Sequence, residues 1–262
     1  MADDPRPDPR AGADPEDGSG PADGSDSTGP LARAAYDRLA AGYDREGASK
    51  PSNAHLERPA TRSLLPDVSG RTVLDAGCGA GHLADRLADG GAAVVGLDAS
   101  AAMLGYARGR VPDAGFVRAD LGTGLPFDAD RFDGVASSLA FHYVREWGPL
   151  FAELRRVLRP GGWVVCSVQH PHADFEEYDD SENYHEVERV SAVWESFGER
   201  VEVPAYRRPL SAVLDPALAA GFRLDELVEP TPTAAFAEQR PERYAYESTH
   251  PNFLCLRFVA PG

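Results

Sequence analysis

From residue 72 onward, short and nearly unbroken apolar runs alternate with stretches in which apolar residues recur every three to four positions. The runs predict strands at 72–76, 92–97, 115–119, 132–137, 162–168, 223–228 and 253–259, and the periodic stretches predict helices at 81–89, 100–110, 146–158 and 210–220. A strand that is apolar on both faces must be covered on both, and helices between such strands make them parallel with right-handed crossovers. The expectation is an α/β, doubly wound, seven-stranded and mostly parallel sheet. No helical pattern separates the last two strands, so the last one is expected to run antiparallel.

Two regions depart from this alternation. Before it, Leu31, Ala35, Leu39 and Gly42 or Tyr43 share a helical face, with Gly42 weakening the helix end, and a second helix is predicted at 54–65 with Ser52 or Asn53 as its N-cap. Residues 30–66 thus read as an N-terminal helical cap. Within the alternation, residues 169–208 are acidic and aromatic-rich, from Gln169-His170-Pro171-His172 through Trp194 to Tyr206-Arg207-Arg208. They lie just past a strand's C-terminal end, where ligands of open α/β sheets bind. A substrate-side insert acting as lid or wall is expected there, against the plainer reading of a loop that plugs the sheet edge.

Composition narrows the function. The 262 residues suit one domain, 30–262, preceded by a tail: residues 1–29 carry eight acidic and two basic side chains with almost nothing apolar, the composition of a disordered segment. A formal net charge of -16 argues against a duplex nucleic-acid partner, since phosphate contacts need a positive field. Lys50 is the only lysine; a GC-rich genome or a salty cytoplasm would each explain an acidic, arginine-dominated chain. Cys78, Cys166 and Cys255 are scattered and form no disulfide framework or paired metal spacing. With no apolar run near the roughly 18–20 residues of a membrane span, a cytoplasmic protein with a small-molecule substrate is expected.

The chemistry centres on Val73-Leu74-Asp75-Ala76-Gly77-Cys78-Gly79-Ala80-Gly81-His82. A strand running through closely spaced glycines into a helix receives a ligand by backbone rather than by side chains. A dinucleotide fingerprint wants glycine at its first, third and sixth positions. Here the sixth is His82, whose side chain is expected to crowd the helix against the strand, and the third glycine is Gly81. No Gly-Lys-Ser/Thr follows, so a Walker loop is absent.

These residues, with those after them, resemble class I S-adenosylmethionine-dependent methyltransferases, in particular the small-molecule group called methyltransferase type 11. The resemblance covers residues 31–168 and implies a Rossmann-like fold with S-adenosylmethionine as cofactor. In it, Asp75 closes the first strand, and Gly77, Cys78, Gly79 and Gly81 form the loop around the methionine part. Val95-Gly96-Leu97-Asp98-Ala99-Ser100 looks like the second strand's end, where Asp98 takes both ribose hydroxyls beside Ala99, and Met103 contacts adenine. Phe116-Val117-Arg118-Ala119-Asp120-Leu121 looks like the third, with Asp120 accepting from the adenine amino group and the Leu121 amide facing the ring. Phe132 to Tyr143 looks like the fourth, placing Ser138 and Leu139 by the sulfur and His142 near the substrate. Tyr36-Asp37-Arg38-Leu39-Ala40-Ala41-Gly42-Tyr43-Asp44 resembles a family helix that folds over the cofactor, with Tyr43 reaching its carboxylate or simply docking the helix.

Methyl transfer from an activated sulfonium is an in-line displacement that needs positioning, and needs a base only when the acceptor holds its proton. His142, His170 and His172 are the candidate bases, each with a structural hydrogen bond as the alternative. His170-x-His172 with His185 lacks a well-placed third ligand, and no metal is expected. The fourth strand's exit, Ser-Leu-Ala-Phe-His-Tyr, lacks both the Asp/Asn-Pro-Pro-aromatic run of nucleic-acid amino methyltransferases and the Pro-Cys of cytosine-carbon ones. A small, partly apolar or cationic acceptor is expected. Two rivals stay open: a non-catalytic cofactor-binding module, and a nicotinamide dehydrogenase that an NADH titration would reveal. Nothing in the pattern indicates an oligomeric state.

Overall fold

The computed structural model describes residues 29–178 and 181–262; the acidic tail falls outside them, apart from its last residue. The chain begins with α1 (Arg33–Glu46), a π-helical turn (Asn53–Glu57) and α2 (Arg58–Ser63). There follow β1 (Thr72–Ala76), α3 (His82–Asp89), β2 (Ala93–Asp98), α4 (Ala101–Arg110), β3 (Gly115–Arg118), β4 (Phe132–Ser138), α5 (Trp147–Val157) and β5 (Leu158–Gln169). The remainder is α6 (Pro171–Glu177), β6 (Glu188–Trp194), β7 (Val201–Arg207), α7 (Leu210–Ala219), β8 (Arg223–Val228), α8 (Ala234–Gln239), α9 (Pro241–Glu247) and β9 (Phe253–Val259).

Seven strands form one sheet in the order β3-β2-β1-β4-β5-β9-β8, parallel from β3 to β5, with β9 antiparallel to both of its neighbours. The doubly wound, mostly parallel fold with an antiparallel last strand is therefore present. Alternation along β5 shows how both faces are filled: Val164, Cys166 and Val168 pack with Phe151, Leu154 and Val213 on one side, while Trp163 and Val165 pack with Leu64, Leu87 and Val94 on the other. The order reverses between β1 and β4, which opens a crevice at their C-terminal ends.

Three features depart from the pattern reading. The second helix opens as a π-turn because Pro59 cannot donate to the carbonyl four residues back, and that His55 carbonyl accepts instead from the Thr233 amide at 3.0 Å. Two helices, α8 and α9, stand between β8 and β9 where no helix was expected; at six and seven residues, and bounded by prolines, they are too short to show a period. Residues 169–208 contain α6 and an antiparallel hairpin, β6–β7, which packs onto α1 through Phe197, Val201 and Val203 against Ala32, Ala35 and Leu39.

Candidate active site

The loop after β1 is held by its backbone. Gly77, Gly79 and Gly81 all have positive φ (79°, 52° and 83°), and the amides of Gly77 and Cys78 both donate to the Leu97 carbonyl at 2.8 and 3.0 Å. A Cβ at Gly77 would lie 2.3 Å from that of Ala140, so the loop touches the exit of β4 only because this residue is glycine. Gly81 serves packing: a Cβ there would meet the Ala107 Cα at 3.0 Å, so it lets the start of α3 approach α4. His82 opens α3 and lines a cavity beside the loop. Its ring faces Tyr43 at 6.1 Å with Nε2 buried and unpartnered, and burial, reinforced by Arg110 and Arg58, lowers its pKa to about 4.

Two cavities meet at this loop. The first, about 320 Å³, is lined by Glu57, Arg58, Asp75, Cys78, His82 and Arg110 among others. Neither Asp75 oxygen has a partner at full hydrogen-bond geometry, and burial, with Asp98 nearby, raises its pKa to about 8 against the opposing pull of the Ala84 amide. Cys78 is buried and its thiol pushed well up by burial, an inert wall residue. Glu57, fully buried, accepts at Oε1 from Thr61 (2.6 Å), Ser138 (3.0 Å) and Ser167 (2.5 Å), and its Oε2 is unpartnered. Ser167 in turn accepts from the Leu139 amide at 3.1 Å, which holds Leu139 at φ 52°, a costly conformation for a branched residue. Sequence reasoning missed Glu57; Pro59, two residues on, was the signal that the turn carrying it would be deformed.

The second cavity, about 100 Å³, is lined by Asp98, Ala99, Asp120, Leu121, Ser138 and Leu139, together with Gly77 and Gly79. Asp98 accepts the Gly79 amide on one oxygen and the Ser100 amide on the other, both at 2.8 Å, which orients the carboxylate and leaves each oxygen a further lone pair. Asp120 accepts from the Gly122 amide at 2.9 Å. Met103 lines none of the cavities: the Ser100 N-cap sets the phase of α4 and turns Met103 inward against Ala40 and Ala80.

Helix α1 closes both cavities. Asp37 accepts from the Ser100 hydroxyl at 2.6 Å and Asp44 from Arg110 at 2.5 Å, two carboxylates seven residues apart that clamp α1 to the two ends of α4. The preceding tyrosines, Tyr36 and Tyr43, then face inward. Tyr36 and Tyr143 share a hydroxyl–hydroxyl bond of 2.6 Å.

Tyr43 also lines a third cavity, about 250 Å³, as do Tyr36, Leu139 and Tyr143. This one is walled by α6, α9, Lys50, Trp194, Phe197 and His142. His142 is buried with Nδ1 unpartnered, and burial next to Arg208 lowers its pKa to about 3. Arg208, stacked on Trp147 at 4.3 Å, donates to the Val144 carbonyl at 2.6 Å and so braces the turn that carries His142. His170 and His172 lie outside all three cavities. His170 caps α6 through Nδ1 and meets Glu229 through Nε2 at 2.9 Å, while His172 is half exposed beside Glu176. Among the described residues no cluster of three or more His, Cys, Asp or Glu side chains could hold a metal ion, and no helix is long and apolar enough to cross a membrane.

A family model describing a methyltransferase domain matches residues 74–166. An S-adenosylmethionine-dependent methyltransferase of Mesorhizobium loti is 31% identical with a TM-score of 0.63, the match covering 78% of this chain and 97% of that one. The chain belongs to the class I S-adenosylmethionine-dependent methyltransferases. Other methyltransferase relatives are a malonyl-[acyl-carrier protein] O-methyltransferase of Pseudescherichia vulneris, 38% identical over 50% of this chain and 53% of that protein, and a demethylmenaquinone methyltransferase of Clavibacter sepedonicus, 38% identical over 53% and 58%. The chain spans little more than half the length of these two relatives. S-adenosylmethionine is the methyltransferase cofactor, and this site fits it: the unpartnered oxygens of Asp75 and Glu57 suit an ammonium, Asp98 retains lone pairs for a diol, and a side chain at Gly77 could not be accommodated.

Proposed function

We propose that this methyltransferase moves a methyl group from S-adenosylmethionine to a small-molecule acceptor by in-line displacement. The observation that carries the reading is the meeting of all three cavities at Tyr43, two of them built on the glycine loop and strand ends and the third opening on the far side of Tyr36, Leu139 and Tyr143. When bound, the cofactor supplies an activated methyl: the acceptor's lone pair bonds to the methyl carbon, and the carbon–sulfur pair stays with sulfur, turning the sulfonium into a thioether.

The chain's own residues bind and orient. Asp98 accepts from the ribose diol, Asp120 from the adenine amino group, and the Leu121 amide faces the ring. Asp75 and the Oε2 of Glu57 hold the methionine ammonium, with Arg58 and His82 near the carboxylate. Glu57, through Ser138 and Ser167, fixes the strand ends where the methyl group passes. The aromatic wall of Tyr36, Tyr43, Tyr143, Trp194 and Phe197 excludes water. His142, neutral at physiological pH, accepts a hydrogen bond from the acceptor; with its pKa at about 3 it is a weak base, so the acceptor presents a lone pair without strong-base help.

Three buried free cysteines and the absence of a helix long enough to span a membrane among the described residues support a cytoplasmic location, and the acidic composition supports a partner other than nucleic acid. Incubation with methyl-labelled cofactor and a size-fractionated cell extract tests the reading. Label is expected in the small-molecule fraction, and label confined to protein or nucleic acid contradicts it.

A further inference from the structure

The third cavity is not the apolar slot that a quinone or an acyl chain would need. Its wall carries Lys50, Asp174, Glu177, Arg243 and Glu247 as well as His142. Asp174, His142 and Glu247 are 6%, 6% and 2% exposed, and each has a buried polar atom without a partner: Oδ1, Nδ1 and Oε2. None of these atoms has a partner among the described residues; burial raises the Asp174 carboxyl to about 8, and an ammonium placed beside it would favour its charged form. The other oxygen of Glu247 is tied to Arg243 at 2.5 Å.

Lys50 adds the opposite demand. It is the only lysine in a chain whose other basic side chains are all arginine. Its ammonium lies over the rings of Trp194 and Phe197 at 5.2 and 5.4 Å and has no ion pair or hydrogen bond among the described residues. A compact ammonium on an aromatic platform leaves its donors free for an anionic oxygen.

We propose that the methyl acceptor is a small amino acid-like zwitterion, its ammonium donating to Asp174 and His142 and its carboxylate held by Lys50 with Arg243; the ammonium gives one proton to the Asp174 carboxylate, which frees the nitrogen lone pair for the methyl carbon. The proposal rests on the methyltransferase reading and deepens it. A neutral apolar acceptor would leave the Lys50 ammonium and the buried unpartnered atoms of Asp174, His142 and Glu247 without partners. A dication would meet Lys50 and Arg243, and a dianion would meet Glu177 and Asp174. A molecule with one charge of each sign satisfies both sets. The amine end is placed toward the cofactor side because His142 adjoins Tyr143, whose ring also lines the second cavity.

The test uses the full chain saturated with S-adenosylhomocysteine and titrated calorimetrically with glycine and longer α- and ω-amino acids, their methyl esters, their N-acetyl derivatives and a hydroquinone. At least one free amino acid is expected to bind, with either blocked form weaker by about tenfold or more. Lys50→Met, which keeps the packing on Trp194 and removes the charge, is expected to weaken that amino acid about tenfold while leaving its ester and S-adenosylhomocysteine unaffected, and Lys50→Arg to restore part of the loss. Tighter binding of the hydroquinone, unchanged amino-acid affinity in Lys50→Met, or no amino acid bound to the saturated protein would overturn the assignment and leave the cofactor reading standing. Failure of S-adenosylhomocysteine itself to bind would overturn both.

Discussion

The cofactor half and the acceptor half of this site are built in different ways. The first is made of strand ends and one backbone loop: Gly77, Asp98 and Asp120 each sit where a sheet strand stops, and the hydrogen bonds that orient them come from main-chain amides. The second is assembled from pieces far apart in sequence, namely Lys50 before α2, the turn after β4, α6, the hairpin and α9. A strand end is placed by the whole sheet and varies little in position, whereas a wall of short elements can change its chemistry without disturbing the sheet. The contrast explains how one fold holds one cofactor and many acceptors.

The strongest way to break the comparison is Asp98→Ala. If Asp98 holds the ribose as proposed, two charge-assisted hydrogen bonds and the order of the Gly79 and Ser100 amides are lost together, so affinity for S-adenosylhomocysteine should fall by about 100-fold or more. A calorimetric titration measures it, and an affinity within a few-fold of the parent would place the ribose elsewhere.

A smaller effect separates the halves by pH. His142 titrates at about 3 in the folded protein against about 6.5 unfolded. Between those values the unfolded chain binds the proton and the native chain refuses it, so stability falls as pH is lowered, by up to about 1.4 kcal/mol per pH unit. His142→Gln should flatten that part of the stability profile from pH 6.5 to 4, measured by urea unfolding, while leaving affinity for S-adenosylhomocysteine near the parent's. The smallest effect expected is that of Tyr36→Phe. It removes the hydroxyl pair with Tyr143 and should cost about 1 kcal/mol of stability, visible as a lower urea midpoint at unchanged slope.

Legibility followed the same division. The strands and the glycine loop could be read because most strands are short apolar runs and the glycines that take positive φ leave a local mark: β1, β8 and β9 begin and end where the pattern placed them. The repeated Tyr-Asp was legible as a motif, but its division of labour, aspartates clamping α4 while tyrosines line the cavities, needed the helix in place. Pro59 was the one local mark near Glu57, and Arg58 and Lys50 carried none for a site, since a charged residue in a short cap segment looks solvated until the fold places it. Met103 and Gly81 went the other way: motif position suggested ligand contact, and tertiary packing of α4 against α1 and α3 claimed them instead. His170 and His172 were read from sequence proximity to a strand end, yet α6 turns both away from the cavities.

The central claim, that the cofactor's ammonium sits on Asp75 and Glu57 beneath the glycine loop, has a direct thermodynamic signature. With its pKa near 8, Asp75 holds a proton in the free protein at pH 7, and a cation placed against it expels that proton. Calorimetric titration with S-adenosylhomocysteine at pH 7, in two buffers of different ionisation enthalpy, should show release approaching one proton per ligand, abolished by Asp75→Asn. Tight binding with no change in bound protons would contradict it.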